Sequence, residues 1–241
     1  MRSGYFVTGT DTGIGKTVIS ACLYAALRDG NKRVGYMKPV QTGCDVSVNG
    51  VLIAPDPAFV MAATDFAPAA DELSDVCPVR LRLPASPHLA AAEEGRLIDM
   101  AALIAAYERM QARYELLVVE GAGGVMVPLN DTQTMLDLMQ ALALPVIVAA
   151  RSGLGTINHT LLTIKALSGA GLTVAGVVLV DTADQPPGLI EADNARVIAD
   201  RGQVPVLAHF PYDTATACGK VNPDYIQSQS RSLRPVLTPS P

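Results

Sequence analysis

Short, unbroken apolar runs of strand length alternate along the chain with longer segments of helical periodicity. Tyr5-Phe6-Val7-Thr8 is followed by residues 17–28, where Val18, Ala21, Cys22 and Ala25 recur at helical spacing. Val34-Gly35-Tyr36-Met37 comes next, and further strands are predicted at 116–119, 145–149, 174–180 and 204–207. Helices are predicted over 99–113, 134–142, 156–169 and 189–201. Strands apolar at every position are buried on both faces, which a parallel sheet covered by helices requires. The expected fold is therefore α/β, doubly wound, with a mostly parallel sheet and helices on both faces. One domain is expected over 1–241, with a Ser/Pro-rich tail from about residue 227. The segment 43–87 breaks the rhythm with Asp, Pro and small residues; loops of that length usually carry function or move.

Composition narrows the function. The 241 residues are 49% hydrophobic and 17% charged, with a net charge of −5 and no cluster of Lys or Arg, which excludes a nucleic-acid binder that neutralises phosphates with a basic stripe. No apolar run reaches the roughly 18 residues of a membrane span. Residues 1–7 run into a strand pattern rather than a signal peptide, so the chain is expected to be cytoplasmic. Cys22, Cys44, Cys77 and Cys218 are far apart and the three histidines are scattered, which suggests buried or incidental thiols rather than a zinc site or disulfide framework. Only five of the 18 basic residues are lysines: Lys16, Lys32, Lys38, Lys165 and Lys220.

One of them closes Gly9-Thr10-Asp11-Thr12-Gly13-Ile14-Gly15-Lys16-Thr17, between the first strand and the first helix. Glycines let backbone amides close around a phosphate, the helix start adds its positive dipole end, a lysine bridges the outer phosphates and a hydroxyl holds Mg²⁺. Five residues separate Gly9 from Gly15, one more than the strict phosphate-loop pattern. The order strand, loop, Gly-Lys-Thr, helix nonetheless points to a P-loop NTPase-like fold.

Ligands of such sheets bind at the carboxyl ends of strands. Lys38 closes the second strand, where it could hold an anionic substrate beside the phosphates. Glu120 follows four apolar strand residues and precedes Gly121-Ala122-Gly123-Gly124, a position suited to Mg²⁺ with room for a substrate to approach the backbone. Asp56 is either a ligand or the cap of a helix at 57–63, and Asp45 and Asp65 compete with it. Arg151 to His159 follows the strand 145–149 and opens another helix, whose free amides form a second anion site; Thr156 or Ser152 would be its cap. His159 reads as structural.

Together these segments resemble the dethiobiotin synthetase family. The resemblance is carried by residues 5–17, Gly-Tyr-Met-Lys-Pro-Val-Gln-Thr-Gly (35–43), Ser-Pro-His (86–88) with Glu94-Gly95, Val-Val-Glu-Gly-Ala-Gly-Gly (118–124), Leu-Pro-Val-Ile (144–147), Leu-Gly-Thr-Ile-Asn-His (154–159) and residues 170–176, in the family's order. The extra loop residue is a family habit. The resemblance implies a ligase that carboxylates and cyclises 7,8-diaminononanoate (diaminopelargonic acid) with CO2 or bicarbonate, at the expense of ATP with Mg²⁺ in biotin biosynthesis. It implies nucleotide contacts from Thr12, Gly13, Ile14, Gly15, Lys16, Thr17 and Val18, with Pro211 near the base, and magnesium contacts from Thr17, Asp56 and Glu120. Lys38, Lys16 and Thr12 take the catalytic places, with Thr42, Gly121, Ala122, Gly123 and Gly124 around the substrate. In the family the helix start matched here by Leu154, Gly155, Thr156 and Asn158 holds the substrate carboxylate across a dimer interface, which implies a homodimer.

Three other readings compete. A partitioning-type ATPase switch has the same fold, but usually places a second lysine early in the loop, where this chain has Thr12. An amidotransferring ligase would need a glutaminase domain with a Cys and His pairing, and a pure nucleotide-binding module would not need Glu120. The family often has an Asn that reads adenine at the end of the strand 174–180; Val180 stands there, followed by Asp181. Valine cannot make the paired hydrogen bonds of an amide. Adenine selectivity should be weakened and other nucleoside triphosphates accepted; a turnover panel of ATP, CTP, GTP and UTP checks this, and a strong preference for ATP contradicts it.

Overall fold

The computed structural model describes residues 3–28, 32–47 and 49–237, with side chains to 234. Met1, Arg2 and the last residues of the expected tail, 238–241, lie outside the described residues. In chain order the elements are β1 (Gly4–Gly9), α1 (Lys16–Arg28), β2 (Val34–Met37), β3 (Val40–Gln41), β4 (Asp45–Val46), β5 (Leu52–Ile53), α2 (Pro55–Ala63), α3 (Leu73–Val76), β6 (Val79–Arg80) and α4 (Pro87–Glu93). They continue with α5 (Met100–Arg113), β7 (Leu116–Gly124), α6 (Met135–Leu142), β8 (Val146–Arg151), α7 (Thr156–Gly169), β9 (Val174–Val180), α8 (Leu189–Gly202), β10 (Val206–Phe210), α9 (Thr214–Ala217) and α10 (Pro223–Leu237).

Six strands form one parallel sheet in the order β10-β9-β8-β1-β7-β2. Right-handed crossovers run toward β2 from β1 and toward β10 from β7, so α1 lies on one face and α5 to α8 on the other. The chain is doubly wound, as its apolar runs require. Phe6, Val7, Leu117 to Val119 and Val146 to Ala150 are buried without exception. All six strands point their carboxyl ends the same way, which gathers the loops after β1, β2, β7, β9 and β10 at one edge.

Several expected boundaries move, each for a local reason. The strand expected at 204–207 is Val206–Phe210, because Pro205 has no N–H to give the ladder and serves only as acceptor for Val177. For the same reason β8 starts after Pro145, and it runs on through Arg151. Glu120 and the four residues after it remain in β7 instead of leaving the sheet. Thr134 lies outside its helix as the N-cap of α6, in a capping box with Asp137. From 227 to 237 the expected tail is helical: α10 covers these residues and packs on α1, with Ile226, Ser230 and Leu233 buried. The segment 43–87 is built of the β4/β5 hairpin, α2, α3 and β6, which pairs with β3 just before it.

β1 enters the sheet through Gly4, at φ +136°, where an added Cβ would lie 2.0 Å from the Leu117 carbonyl oxygen and 2.6 Å from its nitrogen. Both obstacles are backbone of β7, which cannot turn aside. Gly4→Ala should destabilise the protein by more than about 2 kcal/mol. At roughly 2–4 °C per kcal/mol for a chain of this size, a calorimetric melt should fall by several degrees; an unchanged melt contradicts the placement.

Candidate active site

The loop between β1 and α1 turns back through Gly13 and Gly15, both at positive φ (72° and 88°), which a residue with a Cβ rarely adopts. α1 then begins at Lys16 with its first amides facing the cleft edge. Lys16 Nζ donates to the Asp11 carbonyl at 2.8 Å, so the lysine closes the loop on its own backbone. Arg151, at the end of β8, reaches Asp11 Oδ2 at 3.1 Å and braces the same residue from outside. Burial, and then the Lys38 charge, lower the Lys16 pKa to about 8.

Lys38 is the centre of the site. Its Nζ lies 2.7 Å from Asp56 Oδ2, 2.8 Å from Glu120 Oε1 and 3.0 Å from the Gly121 carbonyl, and the side chain is 3% exposed. Burial by itself would lower its pKa, but the two carboxylates outweigh that and hold it above the ordinary lysine value. Glu120, wholly buried, also receives hydrogen bonds from Thr17 Oγ1 at 2.9 Å and Tyr36 Oη at 2.8 Å. Burial raises the Glu120 carboxyl above its ordinary range, against the opposing pull of Lys38. Asp56 is drawn below its ordinary range by Lys38 against the cost of its burial. Asp56 makes no cap: the N-cap of α2 is Ala54, without a side-chain hydrogen bond. The two competitors fall away, since Asp45 is exposed on β4 and Asp65 pairs with Arg28.

A cleft of about 960 Å³ joins these parts. It brings together Thr12, Gly13, Ile14, Gly15, Lys16, Thr17, Val18, Lys38, Thr42, Asp56, Glu120, Ala122, Gly123 and Pro211. Six of the residues expected at the site do not line it. Gly121 and Gly124 sit in β7, where a Cβ would meet the Phe6 ring at 2.9 Å and the Gly9 carbonyl at 3.3 Å. Leu154 (85% exposed), Gly155 and Asn158 face solvent at the start of α7. Thr156 is buried and shares a hydrogen bond with Thr160. Neither expected cap of α7 is made: Gly155 is the N-cap, and the Ser152 hydroxyl goes to Asp181. His159 is exposed on α7.

Three cysteines are buried and Cys218 is exposed, all with free thiols. No helix among the described residues is long and apolar enough to cross a membrane.

A family model described as an AAA domain matches residues 3–217. An ATP-dependent dethiobiotin synthetase BioD of Thermodesulfovibrio yellowstonii is 35% identical, over 95% of this chain and 96% of that protein. One of Aromatoleum aromaticum is 41% identical over 86% and 90% respectively. The chain belongs to the dethiobiotin synthetase family. Among solved structures, the cell-division ATPase MinD of Pyrococcus furiosus superposes with a TM-score of 0.57 at 15% identity, covering 98% of this chain and all of that one. At that identity the likeness is one of fold.

Tyr36, read from the sequence as a strand residue of the motif 35–43 and given no role at the site, lies buried behind the cleft and donates its phenol to Glu120 Oε2. Tyr36→Phe should leave that buried oxygen without its donor and cost about 1–3 kcal/mol. Urea denaturation checks this; an unchanged midpoint means that water replaces the phenol.

Proposed function

We propose that this chain performs the family reaction: nucleoside-triphosphate-driven carboxylation and ring closure of 7,8-diaminononanoate with CO2, giving dethiobiotin. The observation that best supports this is the meeting, in one cleft, of the phosphate loop with a lysine buried between two carboxylates. One amine of the substrate takes up CO2 as a carbamate. The carbamate oxygen attacks the γ-phosphoryl group and expels the nucleoside diphosphate, giving a carbamic-phosphoric anhydride; the second amine then attacks its carbonyl carbon and closes the ureido ring with loss of inorganic phosphate. Three anionic groups must therefore meet, and the protein's task is positioning and charge neutralisation.

Thr17, Asp56 and Glu120 offer a hydroxyl and two carboxylates, hard oxygen donors of the kind that bind Mg²⁺. Their position already takes a cation, since the Lys38 ammonium lies within 2.8 Å of both carboxylates. Bound there, Mg²⁺ would neutralise phosphate oxygens during transfer. Lys16 and the loop amides are assigned to the triphosphate; an incoming anion takes Lys16 from the Asp11 carbonyl and offsets its repulsion by Lys38. Lys38 and Thr12 are assigned to the carbamate side, with Thr42, Ala122 and Gly123 around the substrate. Leu154, Gly155 and Asn158, exposed outside the cleft, are assigned with the buried Thr156 beside them to the cleft of a second copy, so that a homodimer completes the site. The whole chain acts as one catalytic domain in the cytoplasm.

The deciding experiment supplies diaminopelargonic acid, bicarbonate, Mg²⁺ and ATP and looks for dethiobiotin by mass. Nucleotide hydrolysis without that product would overturn the reading in favour of an ATPase switch. Lys16→Ala should abolish turnover, and near-normal kcat contradicts its assignment. Lys38→Gln should lower kcat more than it weakens nucleotide binding; equal effects would make Lys38 a nucleotide ligand only.

A further inference from the structure

A second cavity, of about 330 Å³, shares no residue with the active cleft. Leu52, Leu73, Cys77 and Pro78 make its apolar walls, and Ser74, Arg80 and Arg96 its polar ones. The two sites stand on common backbone: the Lys38 amide donates to the Val76 carbonyl at 2.8 Å, and Arg80 pairs with Gln41 across β6 and β3. Nothing in the reaction proposed above uses this cavity.

Its positive charge is fixed in place and poorly offset. Arg80 Nε donates to the Cys77 carbonyl at 3.0 Å and Nη2 to the Leu73 carbonyl, so the guanidinium spans α3 from its first residue to its C-cap. Those bonds hold a half-buried cation with part of its donor fork unused, and no carboxylate among the described residues pairs with it. Arg96 Nη1 donates to the Arg80 carbonyl at 2.7 Å, which brings a second guanidinium to the same cavity. Glu94 approaches Arg96 only to 3.9 Å and spends its other oxygen on the Arg82 amide at 2.6 Å. The acids around α3 are committed elsewhere, Asp71 and Glu72 to Arg113 and Asp75 to Arg109. Burial pushes the Cys77 thiol up to about 12, so it brings no negative charge. By contrast Arg28, Arg109, Arg113, Arg151 and Arg196 each meet a carboxylate within 3.2 Å. Two guanidiniums on one cavity repel each other, and an anion between them removes that cost.

We propose that this cavity is a second binding site, for a short aliphatic carboxylate, whose carboxylate bridges Arg80 and Arg96 while its chain lies on Leu52, Leu73 and Pro78. A guanidinium fork matches a carboxylate, and one whose rotamer is already fixed loses little freedom on binding it. The apolar walls take the chain, and the volume is at the lower end for small-molecule sites. Inorganic phosphate would satisfy the arginines and leave the apolar walls wet; an aliphatic alcohol would do the reverse. The inference is independent of the reaction assigned to the active cleft.

Hexanoate is the probe, titrated into the ¹⁵N-labelled full-length protein and followed through assigned backbone amide resonances. Shifts are expected at Leu73, Ser74, Cys77, Arg80 and Arg96, with a dissociation constant of about a millimolar, as befits so small a ligand. Hexan-1-ol and inorganic phosphate, each with half of the chemistry, should bind there at least about tenfold more weakly. No shifts at these residues, or shifts confined to 154–158, where the substrate carboxylate is assigned, overturn the proposal. So does either half-probe binding the cavity within about twofold of hexanoate. Arg96→Gln leaves both bonds of the Arg80 side chain in place and should weaken hexanoate about tenfold. Arg82→Gln alters an exposed arginine that does not line the cavity and should leave the affinity unchanged. Equal effects of the two substitutions ascribe the binding to general surface charge and overturn the proposal. Arg80→Gln should weaken hexanoate at least as much as Arg96→Gln; if it fails to fold, the Arg96 and Arg82 variants decide.

Discussion

The site depends on a single buried cation. Lys38 is almost fully enclosed, and a lone ammonium in that position would give up its proton. It keeps it because Asp56 and Glu120 stand within 2.8 Å. The dependence runs both ways, since two carboxylates brought so close would repel each other without the lysine. Each comes from a different part of the chain: Lys38 follows β2, Asp56 lies in the first turn of α2, and Glu120 lies in β7 beside β2. The charge triad thus ties the irregular segment 43–87 to the sheet. A buried triad of this kind is weak evidence for stability, because desolvation consumes most of the Coulombic gain. What it gives is geometry: three groups that hold one another in the cleft that the phosphate loop also lines.

The sheet makes that geometry available. With all strands parallel, β1, β7 and β2 end side by side, so the phosphate loop, Glu120 and Lys38 fall within one cleft without any long-range coincidence. The continuation of β7 through Gly124 carries the glycine run past the loop; the Cβ-free Gly124 lies close against the Gly9 carbonyl. The far side of the cleft follows from the order β8-β9-β10, whose ends bring Ser152, Asp181 and His209 together.

What could be read from the sequence divides along physical lines. The strands were legible because burial on both faces demands unbroken apolar runs, and the loop because backbone closure around phosphate demands glycines in a fixed order. Glu120 was legible by its place after four apolar residues. Asp56 was not separable from Asp45 and Asp65, because a cap, a surface ion pair and a ligand look alike until the lysine they face is located. Tyr36 was hidden by its own strand: alternation says which face a phenol lies on, not that its hydroxyl meets a carboxylate 84 positions away. The helix over the supposed tail was masked by its serines and prolines, although Ile226, Ser230 and Leu233 recur at helical spacing and are among the residues it buries.

The scarcity of lysine in an acidic chain acquires a reason from the same geometry. Three anionic groups have to be collected, yet a field of basic residues would also attract anions that cannot react. In the structure each of the two site lysines is already engaged, Lys16 with the Asp11 carbonyl and Lys38 with two carboxylates. An anion must compete with those partners before it gains either charge. A triphosphate can do so at Lys16, where the competitor is one neutral carbonyl and several loop amides add to the attraction. At Lys38 the competitors are two carboxylates, so on the proposed assignment a carbamate would draw on that lysine only with other positive charge present to offset Asp56 and Glu120. The two lysines therefore differ in what an anion must displace, one neutral carbonyl at Lys16 and two carboxylates at Lys38.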